Sequence, residues 1–250
     1  MNSWAIRFAG LLYTLWACDT VGLVIDDGKF LSSSTCFCWG TSILTTTLTA
    51  TIHFLLESPK CLETLEREIR TKFIKEEQIT NESTISLPYL MAVINESLRI
   101  SPQLPDSLRR EVPSGGATIA GHLVPGGTIV SVACWSLFHS SSNFASPDEF
   151  IPERWLNKPG GRTSINKQAD SKNVFHPFSL GSHNCISQPL AWMEIRLIPS
   201  RLIWNFHIQV PSGKKLQNWA DQKIFWTWDK LPLNVQLITF KHSERQRSPW

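Results

Sequence analysis

Residues 175–187 read Phe-His-Pro-Phe-Ser-Leu-Gly-Ser-His-Asn-Cys-Ile-Ser. Cys185 closes a Gly/Ser loop, and a helical period starts directly behind it, running through Leu190, Met193, Leu197 and Leu202 within residues 186–206. A helix N-terminus presents unpaired N–H groups and the positive end of the dipole, a setting that favours thiolate sulfur. Such a thiolate is a nucleophile or a metal ligand. Taken alone, the segment is equally readable as a loop ending in a structural cysteine.

Working outward, two further segments carry charge in an apolar setting. Glu96-Ser-Leu-Arg99 puts a carboxylate and a guanidinium at i and i+3, on one face of a helix predicted over 88–100. That helix opens on Pro88, where a first-turn proline belongs, and carries Leu90, Ile94 and Leu98 at a spacing of four. Pro152-Glu-Arg-Trp155 lies in a stretch, 136–180, that lacks any sustained period and is rich in Pro, Ser and aromatic residues. It reads as an ordered meander lying on the core.

Together and in this order, the three segments resemble the cytochrome P-450 superfamily of haem-thiolate monooxygenases, over about Trp39 to Leu237. The family's marks are a Glu-x-x-Arg helix, a Pro-Glu-Arg-aromatic meander, and Phe-x-x-Gly-x-(Arg or His)-x-Cys. Here they are Glu96 and Arg99, Pro152 to Trp155, and Phe178, Gly181, His183 and Cys185. The segments 115–130, His139 to Phe144 and Trp219 to Phe225 resemble fungal members that tailor secondary metabolites. The resemblance implies haem as cofactor, with Cys185 as axial ligand and so the one metal ligand. It also implies Phe178 packed beside the sulfur, Gly181 letting the loop pass close to the porphyrin, and His183 and Arg110 meeting propionates. Glu96, Arg99 and Arg154 become a buried network fixing the meander, and Trp135, Trp155, Trp192 and Trp204 fall at positions the family buries. The implied activity is oxidation of an apolar secondary-metabolite intermediate with O₂ and electrons from an NADPH-dependent reductase, on the endoplasmic reticulum.

The expected fold is mainly α with small antiparallel β-sheets, a cytochrome P-450 fold represented by its C-terminal half. Residues 1–35 form an N-terminal segment of unassigned role, 36–240 the haem-ligating region and 241–250 a frayed polar tail. Phe8 to Ile25 is apolar except for Thr14, Asp19 and Thr20, which makes it a candidate membrane anchor. Helices are also predicted from Ile43 to Leu56 and from Leu62 to Phe73. A loop is predicted at 78–87, and short strands at 117–120, at 128–132 and over the last forty or so residues.

The pattern also departs from the family. Counting back from Pro59, the oxygen-activating segment falls on Trp39-Gly-Thr-Ser-Ile43, with Ser42 where the usual acid stands and Ile43 where the alcohol stands. No residue is therefore assigned as catalytic. Ser187 replaces a usual glycine, and Pro199 falls mid-helix, where it costs about 3 kcal/mol or a kink. Family members are normally much longer. The alternative is thus a truncated, degenerate relative with impaired catalysis or none.

Composition narrows the rest. Among 250 residues, 24 basic against 21 acidic side chains leave a net charge of +3, too balanced for a dedicated nucleic-acid binder. Of six cysteines only Cys36 and Cys38 are close neighbours, which argues against a zinc site of the usual paired spacing. Eleven tryptophans suggest a partner-binding surface as a third reading.

Overall fold

The computed structural model describes residues 39–106, 108–156, 170–225, 227–229 and 232–242, with only the backbone described for 39–43. The anchor candidate and most of the polar tail lie outside these residues. Among the described residues, no helix is long and apolar enough to cross a membrane.

Four helices build the core: α1 (Trp39–Glu57), α2 (Pro59–Lys72), α4 (Pro88–Ile100) and α6 (Gln188–Asn205), with α3 (Asn81–Ile85) and α5 (Cys134–Phe138) as short connectors. Helix α1 is rich in threonine, yet buried. Its hydroxyls turn inward on its own backbone: Thr49 donates to the Thr45 carbonyl at 2.7 Å and Thr51 to that of Thr47 at 2.8 Å. Self-satisfied hydroxyls let a polar-looking helix sit against Leu90 and Ile94 of α4, Leu65 and Ile69 of α2 and Ile203 of α6, in one core.

The N-terminus of α4 is held from another helix. The Glu68 carboxylate accepts the Tyr89 and Leu90 N–H groups at 2.8 and 2.9 Å, satisfying two donors that the helix itself leaves open. Arg70 does the converse at the C-terminus of α6. Its guanidinium donates to the carbonyls of Ile203 and Phe206 at 2.8 and 2.9 Å while paired with Glu66. Helix α6 runs unbroken through Pro199, so the expected proline penalty is absorbed without ending the helix. The neighbouring Ser200 hydroxyl donates to the Arg196 carbonyl at 2.7 Å beside the missing N–H.

The sheets are four antiparallel pairs. Strands β1 (Arg110–Glu111) and β4 (Ile129–Val130) pair, as do β2 (Ala117–Ile119) and β3 (His122–Val124). The β2–β3 turn has Ala120 at φ 49° and Gly121 at φ 83°, the two left-handed residues a two-residue hairpin needs. Strands β5 (Phe206–Gln209) and β8 (Gln236–Thr239) pair in register Ile208 to Leu237, and β6 (Lys223–Ile224) pairs with β7 (Trp228–Asp229).

Three local expectations need correction. The predicted loop at 78–87 contains α3, because Thr80 and Ser83 cap each other reciprocally at 3.2 and 2.9 Å, which overrides their weak helix preference. The strand expected at 128–132 extends only over Ile129–Val130, since its partner β1 is two residues long. Trp135 is 42% exposed, where burial was implied. It stacks on the His139 ring at 4.3 Å and so covers one face only.

The Arg70 clamp makes a direct prediction. R70A leaves two carbonyls without their charged donor and lowers stability by roughly 1.5–3 kcal/mol, read from the urea midpoint at unchanged m-value.

Candidate functional site

The three segments singled out by sequence meet in space through a single carboxylate. Glu96 is fully buried on α4, as is Arg99 one turn on. The carboxylate takes five donors. Oε1 accepts Arg99 Nη2 at 2.9 Å, Arg154 Nε at 3.0 Å and the Ile151 N–H at 3.0 Å. Oε2 accepts Arg99 Nε at 3.0 Å and Trp155 Nε1 at 2.8 Å. Arg99 spends its remaining donors on the carbonyls of Phe138, Pro147 and Glu149 at 2.9, 2.6 and 3.1 Å. Arg154 donates to both oxygens of Asp170, at 3.1 and 2.9 Å, and to the Ala145 and Ser146 carbonyls at 3.0 and 3.3 Å.

Asp170 completes the charge balance, two carboxylates against two guanidiniums, without which the burial would be costly. Sequence reading missed it, because nothing in its spacing distinguishes it from a loop aspartate. The same Oδ1 also accepts the Ala145 N–H at 2.9 Å. Both guanidiniums lie over the buried Phe144 ring, at 5.3 and 5.9 Å from its centroid. Tyr89 adds a second tie to the meander, donating from its hydroxyl to Glu153 at 2.9 Å. Sequence reading missed that contact as well.

Two tilted aromatic pairs lie between this cluster and the cysteine loop. Trp155, fixed by Glu96, packs on Phe175 at 4.6 Å, and Phe178 packs on Trp192 of α6 at 5.3 Å. The Phe178 carbonyl accepts the Cys185 N–H at 3.0 Å, closing the loop over the residues between. Gly181 has φ +68°, a left-handed turn, and a side chain there would have open space. The left-handed backbone there favours glycine. It opens a single 3₁₀ turn that ends at His183. Cys185 is a free, exposed thiol, and Ile186 beside it is 96% exposed.

Arg110 stands in β1 opposite Val130, its guanidinium donating to the Arg109 carbonyl at 3.0 Å. A pocket of about 360 Å³ lies against the loop, lined by Phe175, Phe178, Leu180, Gly181, Asn184 and Trp192 among others, with neither Cys185 nor His183 in its wall. Ile43 lies on α1, its side chain outside the described atoms.

A family model described as Cytochrome P450 matches residues 32–235. Among curated relatives, cytochrome P450 monooxygenase lcsI of Purpureocillium lilacinum is 40% identical over 198 residues, covering 79% of this chain and 37% of its own. Cytochrome P450 monooxygenase astA of Talaromyces wortmannii is 38% identical over 207 residues, covering 83% and 40% respectively. Cytochrome P450 monooxygenase aba2 of Botryotinia fuckeliana is 39% identical over 208 residues, with 79% and 38% covered. With these matches the chain belongs to the cytochrome P450 family. It spans about two fifths of the length of those relatives.

The donor set suits the cofactor the family implies. A zinc ion bound by side chains alone takes three or four protein ligands. Among the described residues no three His, Cys, Asp or Glu side chains gather to hold one. One exposed sulfur fits a metal whose other donors belong to a macrocycle. Leu180 in the same loop and Ile186 next in the chain to Cys185, 60% and 96% exposed, offer apolar surface to a flat ring.

Two outcomes follow. E96A and R99A each leave an uncompensated buried charge, costing about 3–5 kcal/mol. Each should accumulate as insoluble chain when soluble and pelleted fractions are compared with the parent. His139 titrates in the same region. Burial pushes its imidazole below the ordinary range, against a partial offset from the Trp135 carbonyl, and the Arg99 charge adds to the lowering. The folded state therefore binds this proton more weakly than the unfolded chain. The contribution is intact above the unfolded value of about 6.5 and is lost as pH falls toward the lowered folded value. Urea unfolding between pH 7 and pH 5 should show stability falling with acid, and less steeply in H139Q.

Proposed function

We propose that this chain carries the haem-ligating machinery of a monooxygenase that oxidises an apolar secondary-metabolite intermediate. The observation that supports it best is the free, exposed Cys185 at the head of α6, on a loop tied back to the Glu96 network. When bound, haem-thiolate iron supplies the reductive activation of O₂ that puts one oxygen atom into a C–H bond.

The protein's own residues do the rest. Cys185 would hold the iron as a soft anionic donor. Phe178 and Trp192 would back the cysteine loop with apolar surface, which would lower the local dielectric and help set the potential of the metal. Arg110 would bring its guanidinium charge, and His183 its ring N–H, to the propionates. The Glu96, Arg99, Arg154 and Asp170 cluster touches no substrate and keeps the meander from shifting the loop. Electrons come from an NADPH-dependent reductase, and the endoplasmic reticulum membrane is the proposed location, resting on the apolar stretch Phe8 to Ile25.

A second reading is haem binding without turnover. Ser42 and Ile43 at the positions of the usual acid and alcohol favour it, since neither pairs a carboxyl with a hydroxyl for proton delivery.

The test is the ferrous carbon-monoxide difference spectrum of the full chain loaded with haem. The parent should show the thiolate-type Soret band, and C185A should lose it. A parent without that band sinks the haem-thiolate reading. A parent with the band that oxidises nothing when supplied with NADPH, reductase and O₂ leaves the second reading standing.

A further inference from the structure

The carboxamide of Asn184 is engaged at both ends. Its Oδ1 accepts the Cys185 N–H at 2.9 Å, and the same N–H reaches the Phe178 carbonyl at 3.0 Å. Its Nδ2 donates to Gln188 Oε1 at 2.9 Å, and Gln188 is the first residue of α6. Ser187, the residue in the N-cap position, makes no side-chain cap hydrogen bond. The side-chain tie between the loop and the head of the helix is thus Asn184 to Gln188.

The position asks for a short side chain with an acceptor for the Cys185 N–H. A carboxylate could also accept from that N–H and, with the Gln188 carboxamide turned over, from its Nε2, whereas an aliphatic side chain offers neither contact. The geometry also bears on the sulfur. Fixing the N–H of a residue fixes the plane of the peptide that carries its Cα. With two oxygens on one N–H, the Cys185 peptide is held against rotation, which leaves only φ and χ1 of Cys185 to aim Sγ and narrows the directions it can take.

We propose that Asn184 is a positioning residue for the Cys185 sulfur: its carbonyl fixes the Cys185 peptide, and its amide locks that peptide to Gln188 at the start of α6. The assignment rests on the haem-thiolate reading for the purpose of the positioning, though not for the contact itself. The motif recognised in the sequence gives this position no role.

The experiment has one readout without haem and one with it, on the full chain and its N184A, N184D and Q188A variants. In haem-free protein, amide hydrogen exchange at Cys185 should speed about tenfold in N184A, the loss of one hydrogen bond. N184D keeps the acceptor and should stay near the parent rate, and Q188A should fall between. With haem, dithionite and carbon monoxide, N184A should shift a larger share of the absorbance away from the thiolate-type band than the parent does, and N184D should restore it.

Unchanged Cys185 exchange in N184A overturns the proposal, as does N184D behaving like N184A in both readouts. Faster exchange in N184A with no thiolate-type band in the parent overturns the haem reading and keeps Asn184 as the group that orients the thiol. A normal parent band that N184A leaves untouched, together with unchanged exchange, overturns the positioning role alone.

Discussion

The structure depends on one buried carboxylate that must be fully satisfied. Glu96 sits on α4 with no exposure to water, so every lone pair it carries has to find a donor inside the protein. It finds five, from Arg99, Arg154, Trp155 and the Ile151 backbone. Those donors come from the helix itself and from the meander around Pro152–Trp155. The meander has little regular hydrogen bonding of its own, and its path is largely dictated by what Glu96, Arg99 and Arg154 require of it.

What this constraint supports is a rigid base under a chemically open end. Trp155 links the charged cluster to Phe175, and the Phe178 carbonyl takes the Cys185 N–H, so order passes by contact from a fully buried cluster to an exposed sulfur. The exposed end is where a functional group belongs, and the buried end is where the stability that holds it in place is made. Neither end works alone: an exposed thiol on an unsupported loop has no fixed direction, and a buried ionic cluster without a site has no evident reason to be kept over apolar packing.

Much of this was legible in the sequence, for physical reasons that differ from element to element. Helix α4 announces itself through Pro88 and the i+4 run of Leu90, Ile94 and Leu98, and its observed span, Pro88–Ile100, matches the predicted 88–100. The cysteine loop is legible because glycine and a following helical period are strong local signals. Helix α3 is not, because its polar composition reads as loop and only the reciprocal capping of Thr80 and Ser83 decides it. Asp170 and Tyr89 stayed hidden because their partners are reached only through tertiary contact, 16 residues to Arg154 and 64 to Glu153. The exposed Trp135 shows the limit of borrowing burial from a family pattern, since burial depends on which neighbours cover a side chain as well as on its position.

The reach of the charged cluster along the chain also has a temporal side. Its hydrogen bonds join residues 39, 48, 50, 55, 58 and 59 positions apart. None can form until long stretches of backbone have closed on one another, and ordering those stretches costs entropy before any bond is made. A half-assembled cluster, with one guanidinium in place and the carboxylate still short of donors, is worse than none. The topology therefore favours an order of assembly: helices α1, α2 and α4 can meet first on apolar contacts, while the meander has to wait for its distant partners. The Cys185 loop, whose Phe175 packs on Trp155 of the meander, should take its final shape after that, which would set the order in which the chain matures.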